Sequence, residues 1–287
     1  MFGLDEVIKN FMSEVSSNSL EQILLYVNKI AEEVGAELGK SPESFNSQIF
    51  KLLETFSKNV VLPIGILILT IVLVTNLCKS LLDDREMQNP LKVYFFFIIT
   101  SVFAVILVTN SFEITNFIIN ISQTIVDKAL TLFDKEATSI TGDITKFEET
   151  LKTMEVSQIF GIWLMLILTV IIMWLVRILV QIVILGRFIE IFMRISIAPI
   201  PFATFFNRDL SSTGYNFVKS MVAVSLQAIL IMVVIAIYRG TLLSIAVDVG
   251  SQESLMLFLI KILGINLTLV FMLFQTKRIA DSILSVH

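Results

Sequence analysis

Four stretches of about 20 residues carry no charged side chain, and they constrain the chain more than any other feature. Lys58 and Lys79 enclose 20 such residues, Lys92 and Glu113 another 20, Glu155 and Arg177 21, and Lys219 and Arg239 19. A helix needs about 20 apolar residues to cross the hydrocarbon of a bilayer. Ser254 to Thr276 makes a fifth run, interrupted only by Lys261. Composition agrees: 55% of the 287 residues are hydrophobic, 23 are phenylalanine and 16% are charged, far from a soluble domain. The expected fold is all-α, a polytopic membrane protein with about five transmembrane helices.

Between the third and fourth runs lies a stretch of a different kind, Arg187 to Phe206. Only 13 uncharged residues separate Arg194 from Arg208, too few to span as a helix. Pro199 and Pro201 lack a backbone donor and push Ala198 and Ile200 toward extended conformations, so helix is expected to stop near Ile197. Irregular backbone at membrane depth must be satisfied by protein or by a wet cavity. Two readings stay open, a re-entrant packed element and an interfacial connector. Arg187, Glu190 and Arg194 follow one another at three and four residues, which puts them on one helix face where the glutamate can pair with either arginine.

The chain divides in order. Residues 1–58 read as an extracytoplasmic amphipathic helical region with one stripe from Leu4 to Val15, a break at Ser16-Ser17-Asn18, a capping box at Ser19 and Gln22, and a restart at Ser41-Pro42. Residues 59–112 hold transmembrane helices 1 and 2, joined by a short basic loop that belongs in the cytoplasm. Residues 113–155 form an acidic extracytoplasmic helical loop, with 8 acids against 4 lysines, a stripe from Ile114 to Phe133, a turn at Ser139–Asp143 and a return over Ile144–Met154. Residues 156–186 are transmembrane helix 3, with helical pattern continuing past Arg177, which can snorkel to the interface. The Arg-Pro segment occupies 187–215, transmembrane helices 4 and 5 occupy 216–276, and 277–287 is a cytoplasmic tail. Lys261 has two readings, snorkelling outward or facing a pore with Asn266 five residues on. The positive residues put the N-terminus outside and the C-terminus in the cytoplasm.

Several function classes lose support. One cysteine, Cys78, and one histidine, His287, leave no disulfide framework, metal cluster or Cys/His and Ser/His catalytic set. A net charge of −4 argues against a basic nucleic-acid surface. No catalytic residue, metal or cofactor is expected.

At Ser196-Ile-Ala-Pro199-Ile-Pro201-Phe202-Ala, followed by Asn216-Phe-Val-Lys219-Ser-Met and an apolar run containing Gln227, the sequence resembles the TrbL/VirB-type polytopic inner-membrane subunit of type IV secretion and conjugation systems. Arg187, Arg194, Pro199 and Lys219 are the matching positions. The resemblance covers roughly residues 177–238. It implies a non-enzymatic bacterial membrane component that forms homo-oligomers and helps build the translocation channel for DNA or protein. It also implies contact with ATPases on the cytoplasmic side, an extracellular stalk subunit, the lipid bilayer and, transiently, translocating DNA. Channel or assembly candidates are Arg177, Arg187, Glu190, Arg194, Pro199, Pro201, Phe202, Lys219, Lys261 and Asn266. The alternative is a small-molecule or ion transporter, against which stands the lack of buried Asp or Glu in the runs.

Overall fold

The computed structural model describes residues 2–82, 90–135, 147, 149, 151, 153–207, 209–243 and 252–285. Helix dominates them: α1 Phe2–Leu38, α2 Pro42–Phe45, α3 Ser47–Phe56, a wide π turn Ser57–Val61, α4 Leu62–Leu82, α5 Pro90–Thr109, α6 Ser111–Lys135, α7 Val156–Ile197, α8 Pro199–Ala203, α9 Ser211–Leu243 and α10 Gln252–Ile283. No strand occurs among the described residues. Five stretches are long and apolar enough to cross a membrane: Ser47–Leu82, Leu91–Thr109, Val156–Ile197, Ser211–Leu242 and Met256–Ile283. The expected all-α polytopic architecture is the one observed.

Two compact units share the chain. Unit 1 comprises Met1–Leu38, Val126–Ile184 and Leu230–Thr276; unit 2 comprises Gly39–Ile125, Leu185–Ile229 and Lys277–His287.

In unit 1, α1 is a single helix, so the break expected at Ser16-Ser17-Asn18 is corrected. Ser17 Oγ donates to the Ser13 carbonyl at 3.0 Å and Ser19 Oγ to the Val15 carbonyl at 2.8 Å. The hydroxyls thus bond back along an unbroken helix instead of capping a new one. Leu20, Ile23, Ile30, Val34 and Leu38 form its buried stripe, whereas Val7 and Phe11 of the earlier stripe are exposed. Arg177 of α7 meets Glu33 of α1 at 3.0 Å.

In unit 2, Ser41 caps α2 as expected, its hydroxyl accepting the Ser44 amide at 3.0 Å. A second cap follows at Asn46, whose Oδ1 accepts the Ile49 amide at 3.0 Å and starts α3. Pro63 stands in the first turn of α4, behind the π turn in which the Leu62 amide reaches back to Ser57. The wide turn makes room for a proline inside a helix that runs from Ser47 to Leu82. Helix α5 ends at Thr109, three residues before the expected boundary, and α6 restarts at Ser111.

Helix α6 buries Phe112, Thr115, Ile119, Ser122, Gln123 and Val126 and exposes Phe117, Ile121 and Ile125. Its inward face therefore mixes apolar side chains with hydroxyls and an amide, while part of the expected apolar stripe faces outward. The turn expected at Ser139–Asp143 and most of the return over Ile144–Met154 lie outside the described residues.

Helix α7 runs 42 residues without interruption to Ile197, where helix was expected to stop. Its length at 1.5 Å per residue is about 63 Å, roughly twice the hydrocarbon thickness. Nothing between Arg177 and Ile197 removes a backbone donor, so the charges at 187, 190 and 194 do not end the helix. Helix stops where the prolines require it. Ala198 and Ile200, however, are not extended: Ala198 has φ −50° and ψ −38°, and Ile200 lies within α8. Both prolines occupy the first turn of a new short helix, where no amide donor is needed. The join is a shift of axis, in which the Ala198 amide reaches Ile195 O at 3.4 Å and the Phe202 amide reaches Ala198 O at 3.2 Å.

Two contacts set the N-terminal region against α7, one within each unit. Glu33 lies beside Arg177 in unit 1, and Phe45 stacks on Phe188 at 4.0 Å in unit 2. Amphipathic helices pack alongside α7, a tertiary fact that loop charge does not encode.

Candidate functional site: a proline elbow beside a charged helix end

The elbow α7–α8 is built on a glycine. A Cβ added to Gly65 of α4 would lie 2.9 Å from the Pro199 carbonyl oxygen and 3.0 Å from Pro199 Cβ, so α4 can meet the proline only there. Ala198, Phe202 and Ala203 join Leu69 of α4 and Ala104 and Val108 of α5 in one buried apolar cluster. Past the elbow the chain follows α4: the Asn76 amide donates to the Phe206 carbonyl, and Lys79 pairs with Asp209. Thr204 closes the turn, its amide and hydroxyl both reaching Pro201 O, at 3.2 and 2.8 Å. Asn207 Oδ1 then accepts the amides of Asp209 and Leu210 at 2.7 and 3.0 Å and opens α9. Close packing continues at Gly214, where a Cβ would be 2.8 Å from the Phe205 ring.

One turn before the elbow sits a charge network. Glu190 accepts from Arg194 at 2.6 Å and from Lys277 at 2.7 Å. Arg194 also donates to the Ser220 hydroxyl. Glu190 thereby ties α7 to α10 and Arg194 ties it to α9, and the expected pairing of Glu190 resolves in favour of Arg194. Arg187 takes a different course. It is 2% exposed, its Nε donates to the Val224 carbonyl at 3.3 Å, and its Nη1 and Nη2 have no partner among the described residues.

Unit 2 thus brings together Arg187, Glu190, Arg194, Pro199, Pro201 and Phe202, with Lys219 exposed on α9 beside Ser220. Arg177, Lys261 and Asn266 belong to unit 1. Lys261 is exposed. Asn266 is fully buried, accepting from the Tyr238 hydroxyl at 2.9 Å and donating to the Ile262 carbonyl at 2.8 Å, which accounts for a polar residue inside an apolar helix.

Sequence reasoning missed Gly65, Ser220, Lys277 and Tyr238. A glycine in a 20-residue apolar run was the available signal for the first; the other three are partners set by tertiary packing alone. No group of three or more His, Cys, Asp or Glu suited to a metal occurs among the described residues.

No curated protein and no solved structure matches the chain. The profile of the family described as TrbL/VirB6 plasmid conjugal transfer like protein matches residues 27–199, from α1 to the first proline of the elbow; Pro201, Phe202 and Lys219 lie beyond it. That span is more than half of the 287 residues. The chain belongs to the TrbL/VirB6 plasmid conjugal transfer-like family, as a multi-pass membrane component of a conjugal transfer system.

Proposed function

We propose that the chain is a non-enzymatic subunit that forms or scaffolds the inner-membrane channel of a type IV secretion machine, passing DNA or protein. It works as a homo-oligomer with ATPases on the cytoplasmic side and a stalk subunit outside. The observation that carries this reading, beyond the family, is the elbow. Its proline-interrupted helix is packed among α4 and α5 with its turn carbonyl doubly bonded, as expected of a rigid element within a membrane assembly. A coupled transporter would keep an ionisable acid free near the midplane. Glu190, the acid within the apolar length of α7, is instead held by two cations.

Sidedness follows the charges where contacts agree with them. The short basic loop 79–92 faces the cytoplasm, and the N-terminal region and the acidic 113–155 connection face outward. The tail takes the side of Glu190, to which Lys277 is bonded. Single cysteines placed in a Cys78→Ser background and labelled from each side of the membrane read this directly.

Native mass spectrometry of the chain in lipid nanodiscs tests the functional reading. A ring-sized homo-oligomer, alone or on addition of partner subunits, is expected. A stable monomer that moves a small solute would overturn it.

A further inference from the structure

Unit 1 holds a cavity of about 340 Å³ between α1 and the middle of α7, within the size range of small-molecule sites. Its lining is divided by chemistry. Gln22, Tyr26, Lys29, Glu33 and Arg177 supply polar groups, and Ile23, Leu25, Val170, Met173 and Trp174 supply an apolar wall. We propose that this groove binds an anionic phospholipid, its phosphate held by Lys29, Arg177 and Tyr26 and an acyl chain lying against Leu25, Val170 and Trp174.

Position argues first. Arg177 directly follows the 21 uncharged residues Val156–Val176, the place where a spanning helix meets the headgroups. Trp174 stands one turn earlier on the same face and is 63% exposed, as in the aromatic belts of membrane interfaces. Basic pockets at that depth take anionic headgroups.

Charge argues second. Glu33 engages only Nη2 of Arg177, at 3.1 and 3.0 Å from its two oxygens, which leaves the Nε and Nη1 edge outside the pair. Lys29 lies four residues before Glu33 on α1, and no ion pair takes it among the described residues. Two cations against one carboxylate leave one positive charge in excess. The Tyr26 hydroxyl supplies the third observation: it is buried with no partner among the described residues. Burial pushes its pKa well above the usual phenol value, so it stays protonated and able to donate. A phosphodiester accepts from an arginine, a lysine and a hydroxyl at once, while its chain covers the apolar wall.

The test is lipid retention by the full chain in native mass spectrometry after equilibration with phosphatidylglycerol or phosphatidylcholine. At least tenfold preferential retention of phosphatidylglycerol is expected, lost in Lys29→Gln and Arg177→Gln and unchanged in Lys261→Gln, an exposed cation of the same unit. Glu33→Gln separates ligand binding from a merely structural ion pair. It frees Arg177 and is expected to raise retention severalfold, whereas a structural pair would make it fail as Arg177→Gln does. Lys29 is exposed, so Lys29→Gln keeps the test decisive if Arg177→Gln does not insert. Equal retention of phosphatidylcholine, a preference that survives both basic substitutions, a loss in Glu33→Gln, or displacement of the lipid by inorganic phosphate alone would each overturn the proposal.

Discussion

Arg194 and Arg187 stand seven residues apart on α7, and their surroundings treat the same side chain in opposite ways. Around Arg194 the charge is cancelled on the spot: Glu190, Lys277 and Ser220 complete a network across three helices. Around Arg187 the guanidinium is enclosed with a single backbone carbonyl, the Phe188 ring 5.6 Å away and no counter-charge among the described residues. Taking a cation out of water costs several kcal/mol unless geometry and partners offset it. The first region therefore contributes to the fold, and the second costs it stability. An unneutralised charge kept within an apolar helix is read by default as functional.

Removing the shared carboxylate breaks this comparison most severely. Glu190→Gln leaves Arg194 and Lys277 facing each other without an anion, and the expected loss is about 2–4 kcal/mol, measured by unfolding in mild detergent. Arg187→Met should have the opposite sign, raising stability by about 1–3 kcal/mol while lowering conjugal transfer at least tenfold. A loss as large as that of Glu190→Gln would mean that the two arginines are held alike. Gly65→Ala probes the scaffold beneath both. With the Pro199 carbonyl 2.9 Å from the new Cβ, backbone must move, at about 1–2 kcal/mol. Tyr238→Phe gives the smallest effect, about 0.5–1 kcal/mol, as expected for one interhelical hydrogen bond in a membrane protein.

Much of the fold could be read from the chain because membrane helices announce themselves by length and charge. The apolar runs around Leu69, Val105, Leu166, Ile231 and Leu269 all became helix. Where the reading failed, a local signal was outweighed. Ser16 and Ser17 looked like a break, but the Ser17 hydroxyl bonds to the preceding turn, and the buried stripe from Leu20 to Leu38 keeps α1 whole. The end of α7 at Ile197, by contrast, was legible, because only proline removes a backbone donor and the charges from Arg187 to Arg194 do not. The i, i+4 pairing of Glu190 with Arg194 was legible in the spacing; Lys277, 87 residues away, was not. That Ala198 would stay helical before a proline was likewise unreadable, since the α8 turn forms only with Phe202 seated among α4 and α5.

The central claim is that the elbow is a packed assembly element of a conjugation channel, and Pro199→Ala tests it most directly. The measurement is transfer frequency in a deletion strain complemented with this variant, alongside the amount of chain inserted in the membrane. Normal insertion with transfer reduced at least a hundredfold is the predicted result. Normal transfer at normal insertion would contradict the account, leaving Pro199 as one way to end a helix and no more.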